Sequence, residues 1–163
     1  MKNKDFDNLK YNDGFGYSGE LPITFFDKQI NVFFAIDTED DEIADIQYET
    51  YEKFKENWDK IQKKVAERII KYYNEKERFK NGPDEQEEKL QWWPEINTVD
   101  EVIEKIELDG IIIPNPFIMK GKERWVYLTF NKKWGDPDFD QDGLGIKLIN
   151  EEIVEIGYRD IAL

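Results

Sequence analysis

The sequence contains no cysteine and no histidine. Without cysteine there is no disulfide framework and no thiolate nucleophile. Without either residue the usual zinc ligand sets and the Ser–His and Cys–His catalytic pairs are excluded. Ser18 is the single serine and has no neighbouring base in sequence. No apolar run approaches the ~18 residues of a membrane span, so a membrane protein is not expected. The opening MKNKDFDNLKYNDG has no apolar core of a secretory leader, which makes a cytoplasmic protein the default expectation. Basic residues are also scarce. Twenty-three Lys and Arg face thirty-seven Asp and Glu, for a net charge of −14, whereas a nucleic-acid-binding surface needs a basic footprint.

What the chain has in quantity is aromatic: five Trp, eight Tyr and eleven Phe in 163 residues. That content argues for a folded core despite the high charge. A chain of this length reads as one domain, residues 1–163, able to bury roughly 70% of its unfolded surface.

Phe6–Tyr11 reads as a first strand, followed by a turn at Asn12–Gly16 centred on Asp13-Gly14. Leu21–Asp37 reads as two strands joined by a turn at Asp27-Lys28. Ala44, Tyr48, Tyr51, Phe54, Trp58, Ile61, Val65, Ile69 and Tyr72 then recur at spacings of three and four, a helical stripe. Thr38 or Asp40 is placed to cap it, and Asn81-Gly82-Pro83 to stop it. One helix from Asp41 to Phe79 would run roughly 58 Å. The radius of gyration expected of the whole domain is ~15 Å, so this helix must project from the body or bend. Thr98 and Glu101 form a capping box for a short second helix. Strands follow at Leu108–Pro114 and Arg124–Phe130, then a hairpin about Asn150-Glu151-Glu152. The expected fold is α+β: a mostly antiparallel sheet of six or seven strands packed against one long and one short helix, in the order βββ-α-α-ββββ.

The acidity is clustered. Residues 37–60 carry ten acids and three lysines, residues 84–107 nine acids and two lysines, and residues 136–155 seven acids and one lysine. Carboxylates at a helix start complement its dipole, which gives Asp40, Asp41 and Asp45 a structural role as well as a functional one. The other two clusters lie off that helix. Trp92 and Trp93 are adjacent in a stretch that follows Glu85, Glu87 and Glu88, and neighbours in an extended segment face opposite ways. One of the pair is therefore expected to face solvent, where Trp favours interfaces, unless the loop simply packs onto the core.

The segment DPDFDQDG, residues 136–143, has the look of a calcium loop. With Asp138 at position 1, Asp140 and Asp142 fall at positions 3 and 5 and Gly143 at position 6. Position 12, which needs a bidentate Glu, is Ile149, and the flanking segments read as strands where an EF-hand needs helices. A weak calcium site on Asp138, Asp140 and Asp142 and a solvated acidic turn are both open readings. The segment GFGYSG lacks the lysine of a phosphate-binding loop and reads as a turn. No motif supports an enzyme.

The stretch GLGIKLINEEIVEIGYRDI, residues 143–161, is similar to the ending of a family of small, acidic, uncharacterised bacterial proteins. In that family a W-x-x-x-H-G-L-G segment leads into a hairpin and a final G-x-x-D-I. The beginning, with its strand, Gly-rich turn, two strands and a helix carrying YEKFKENWDKI, looks alike too. Here Asp142 stands where the family has His, and Asn150-Glu151 where Asn-Gly is usual, which predicts a longer or bulged hairpin loop. Members resemble immunity proteins of polymorphic toxin systems. The resemblance implies a non-enzymatic protein that neutralises a basic, nuclease-like toxin without a cofactor. Asp40, Asp41, Asp45, Glu85, Glu87, Glu88, Trp92, Trp93, Asp138, Asp140 and Asp142 are the candidate contacts.

Overall fold

The computed structural model describes residues 2–78, 91–119, 122–135 and 142–162. Seven strands form one sheet in sequence order: β1 (Lys10–Asn12), β2 (Gly16–Phe25), β3 (Lys28–Ile36), β4 (Ile106–Ile113), β5 (Trp125–Lys132), β6 (Leu144–Ile149) and β7 (Glu152–Tyr158). Every pairing is antiparallel except β3 with β4. A parallel neighbour needs a long crossover, and the helical segment supplies it. That segment holds α1 (Asp45–Glu56), α2 (Trp58–Tyr72) and the short α3 (Val99–Ile103). The fold is thus α+β with a mostly antiparallel sheet, as the pattern predicts.

The long helix is two helices. Asn57 leaves helical geometry at φ −102° and ψ 8°, and its side-chain amide donates to the Lys53 carbonyl at 2.8 Å. A side chain bonding back onto the preceding turn competes with the helical ladder and bends it. Trp58 restarts the helix and anchors it by donating its indole N–H to the Thr24 carbonyl at 2.7 Å. The bend keeps Tyr51, Phe54, Ile61, Val65 and Ile69 buried against the sheet, so the helix does not project. At its far end α2 passes into a π turn, Tyr73–Arg78, where Tyr73 and Glu77 are buried. The proposed stop at Asn81-Gly82-Pro83 lies outside the described residues.

Other local expectations shift for identifiable reasons. Phe6 belongs to a 3-10 turn, Lys4–Phe6, and its ring packs among Phe34, Tyr48 and Tyr51 with centroids 4.9–5.6 Å away, so the first strand starts later than its apolar pattern predicts. The β2–β3 turn is Phe26-Asp27, one residue earlier than expected, with φ 45° and 69°. Neither Thr38 nor Asp40 caps the helix. The N-cap is Ala44, whose backbone N–H donates to the Gln47 side chain at 3.0 Å. Thr98 does cap α3, its hydroxyl accepting the Glu101 N–H at 3.1 Å, but the Glu101 carboxylate takes the Thr98 hydroxyl at 3.0 Å and not its backbone N–H, so only half of the capping box forms.

The last hairpin closes in a tight two-residue turn and not a longer loop, and the expected irregularity falls within the strands, where the register shifts between Lys147 and Leu148. Asn150 and Glu151 both take positive φ, 50° and 65°. Glu151 is held there by two hydrogen bonds of 2.9 Å from the Arg124 guanidinium. The Asn150 side chain accepts from the Arg124 backbone N–H at 3.0 Å.

The core runs from Phe6 through Phe34, Ile111, Leu128 and Ile146 to α1 and α2. Within it Lys132 and Glu77 form a buried ion pair at 2.9 Å, both side chains 2% exposed, with the Trp134 indole N–H also donating to Glu77. No helix among the described residues is long and apolar enough to cross a membrane.

Candidate functional site

β3 and β4 end side by side, at Ile36 and Ile113, and their exits are tied together. The Asp37 N–H donates to the Ile113 carbonyl at 2.9 Å, extending the ladder by one bond. Gln47, 0% exposed, then joins three segments. Its amide donates to the carbonyls of Asp37 (2.8 Å) and Pro114 (3.0 Å), while its carbonyl oxygen takes the Ala44 N–H. The loop between Asp37 and Ala44 is therefore built rather than loose. Thr38 is buried and donates to the Asp40 carbonyl at 2.5 Å. The Asp40 carboxylate accepts from the Glu42 N–H at 2.9 Å, a local turn that short acidic side chains favour. The Tyr17 hydroxyl donates to the Asp41 carbonyl at 2.6 Å.

This scaffold presents Glu39, Asp40, Asp41 and Glu42 outward. All four are exposed, and none has an ion-pair partner among the described residues. The field they make is felt nearby. Burial and the carboxylates of Asp13, Asp41 and Asp40 raise the Tyr11 hydroxyl above the ordinary phenol value. Tyr17 is raised in the same way, by burial first and then by Asp41. Asp37 is raised by burial, against a hydrogen bond from the Asn115 backbone that pulls it down.

Two aromatic side chains frame the acidic loop. Phe15, 80% exposed, sits on the β1–β2 turn between Gly14 and Gly16, which take φ 85° and 93°. A Cβ on Gly16 would lie 2.3 Å from the Ile36 carbonyl oxygen, so glycine lets this turn press against the end of β3. Phe117, 77% exposed, follows β4 on a turn closed by its own N–H to the Asn115 side chain and by the Ile118 N–H to the Asn115 carbonyl. Buried Met119 anchors that turn from below. A groove of about 510 Å³ runs between Phe117, Asn115, Asp40, Glu42 and Ile43. Exposed aromatic rings thus stand beside carboxylates that have no ion-pair partner among the described residues. Sequence reasoning missed both phenylalanines. A signal was present, since each is a large apolar residue inside a turn bounded by glycines or prolines.

The remaining candidates that fall on described residues do not converge here. Asp45 is exposed but neutralised by Lys2 at 2.5 Å. It is also the one of the three candidate carboxylates that lies in the first turn of α1, so Asp40 and Asp41 are loop residues and not helix-dipole partners. Asp142 is exposed just before β6, at the other end of the sheet, about 25 Å away by the length of an eight-residue strand. Trp93 is 4% exposed and stacks on Tyr73, so it is a core residue and not a surface contact. Trp92 is half-buried against the core, and its carbonyl accepts from the Gly135 N–H. Glu85, Glu87, Glu88, Asp138 and Asp140 lie outside the described residues. The segment that contains Asp138 and Asp140 lies between strands β5 and β6, not between the helices of an EF-hand. Among the described residues no three carboxylates are grouped to hold a metal ion.

The chain belongs to the family defined by a domain of unknown function (DUF6985), which matches residues 5–163. No curated protein and no solved structure matches it.

Proposed function

We propose that this member of the DUF6985 family is a binding protein that acts by contact rather than by catalysis, and that it takes a basic protein partner on the end of the sheet formed by the 37–44 loop, the Phe15 turn and the Phe117 turn. The observation that carries this reading is the run Glu39–Glu42: four exposed carboxylates without a cation, on a loop fixed by Gln47, between two exposed phenylalanines. Like charges so placed repel one another in the free protein and gain when a cationic surface approaches. The resemblance to immunity proteins supports a nuclease-like toxin as the partner, whose phosphate-binding Lys and Arg side chains would meet Asp40 and Asp41. Phe15 and Phe117 supply the apolar anchors that hold a complex once it has formed.

The test uses the product of the neighbouring gene as the binding partner. Neutralising Asp40 and Asp41 to Asn should lower the association rate by about tenfold at low salt and little at high salt. Phe117→Ala should mainly raise the dissociation rate, weakening binding by about 2 kcal/mol, roughly 30-fold in Kd. A neighbouring gene that encodes no basic protein, together with salt-independent association of any partner recovered, would remove the proposal.

A further inference from the structure

β3 has nine residues and β4 eight, yet they pair over only four positions, Phe33 opposite Gly110 through Ile36 opposite Ile113. Residues 28–32 and 106–109 diverge. The register of β4 against β5 shifts between Leu108 and Gly110, and a bulge of this kind bends a strand away from its neighbour. The divergence opens a cleft of about 440 Å³ between the two strands, with Phe26 and Ile30 on one wall and Ile106 and Leu108 on the other.

The β3 wall carries unused backbone. Phe25 opposite Lys28 closes a two-residue turn, so those two exchange backbone bonds. Alternation along an antiparallel pair then turns the backbone groups of Ile30 and Val32 toward β2 and those of Gln29 and Asn31 away from it, and Asn31 lines the cleft. Among the described residues these groups have no backbone partner. Their spacing, about 6.7 Å between alternate strand residues, is matched by another extended chain. Residues 28–32 span about 16 Å, room for a segment of four or five residues.

The mouth of the cleft carries charge of both signs. Glu104, Glu107 and Asp109 are all exposed there. Glu104 has no cation partner among the described residues, and the other two hold Lys133 and Arg159 at 3.5 Å. Lys28 and Lys133 also line the cleft, so with Arg159 on Asp109 three cations face three carboxylates, and Glu104 is the carboxylate left for a cation of the segment.

We propose that this cleft takes up an extended basic segment of a partner protein as a short added strand along β3, apolar side chains inward and lysine or arginine outward. The basic character of the partner rests on the function proposed above. The added strand does not, because it follows from the unpaired backbone of Gln29 and Asn31.

The probe is an acetylated and amidated hexapeptide alternating lysine and valine, added to the full chain, with amide hydrogen exchange read residue by residue. At a peptide concentration ten times its Kd, exchange at Gln29 and Asn31 should slow about tenfold. Glu104→Lys should weaken binding several-fold without changing the fold. Of two peptides N-methylated on alternate residues, one or the other must lose binding. The inference is overturned if Gln29 and Asn31 stay unprotected, if both N-methylated peptides bind like the parent, or if a glutamate–valine peptide binds equally well. It is also overturned if protection rises with protein concentration alone, which would assign the cleft to a second copy of this chain. Unprotected amides alongside a partner whose binding still depends on Asp40 and Asp41 would sink the strand addition and leave the acidic site standing.

Discussion

Replacing Gln47 by methionine keeps the length of the side chain and removes its hydrogen bonds. Three backbone groups then lose a partner: the carbonyls of Asp37 and Pro114 and the N–H of Ala44. Pro114 is buried, so its carbonyl bears most of the penalty, while Asp37 and Ala44 are half-buried and recover part of theirs from solvent. At ~1–3 kcal/mol for a fully buried group and less for the others, the loss comes to about 3 kcal/mol. For a domain of this size that is about 6–12 °C in Tm. Gln47→Glu should lose more, because a carboxylate would face two carbonyl oxygens with no cation near. Urea unfolding followed by tryptophan fluorescence measures this, with an unchanged m-value showing that stability and not the unfolding mechanism has moved. A loss below about 1 kcal/mol for Gln47→Met would refute the view that Gln47 fastens the acidic loop. The same variant should weaken partner binding even where the protein stays folded, because the loop would lose its anchor.

Lys132→Met strands the Glu77 carboxylate in the core with the Trp134 indole as its remaining named donor, and should cost about 3–5 kcal/mol in the same unfolding assay; adding Glu77→Leu should restore much of it. Glu151→Ala keeps the left-handed backbone and loses the Arg124 pair, whereas Glu151→Gly loses the pair but relieves about 1 kcal/mol of strain, so glycine should be the more stable of the two. The Lys55 ammonium and the Tyr51 hydroxyl hold the Asp5 carboxyl below its usual range. Its contribution to stability is therefore complete above the unfolded value of about 3.9 and lost as pH falls through the lower folded value, and Asp5→Asn should flatten that acid limb of a urea-midpoint profile. Asp37 is shifted the other way by burial, so its charge opposes folding above its raised value and ceases to do so as pH falls through it; Asp37→Asn should raise the urea midpoint at neutral pH and leave it unchanged in acid.

The helical stripe from Tyr51 to Ile69 was legible because burial follows its spacing, and the break inside it was not, for the same reason. A single residue, Asn57, separates α1 from α2, and Phe54, Trp58 and Ile61 keep spacings of four and three across it. Apolar periodicity records which face is buried and is blind to a change of axis that preserves the phase. The carboxylates of the candidate site could be counted in sequence, but their grouping could not. Strand direction puts Asp40 and Asp41 beside Phe15 and Phe117, and sends Asp142 to the opposite end of the sheet. Exposure of the two phenylalanines depends on turns closed by Gly14, Gly16 and Asn115, which local composition marks as turns without saying what they project. The last hairpin shows the limit most sharply. Local chemistry argues against Glu at a left-handed position, and a longer loop follows from that alone. The tight turn forms because Arg124, twenty-seven residues away, grips the Glu151 carboxylate with two bonds in a half-buried pocket. A backbone preference of about 1 kcal/mol loses to a bidentate charge pair of comparable or greater strength. No reading confined to neighbouring residues contains that partner.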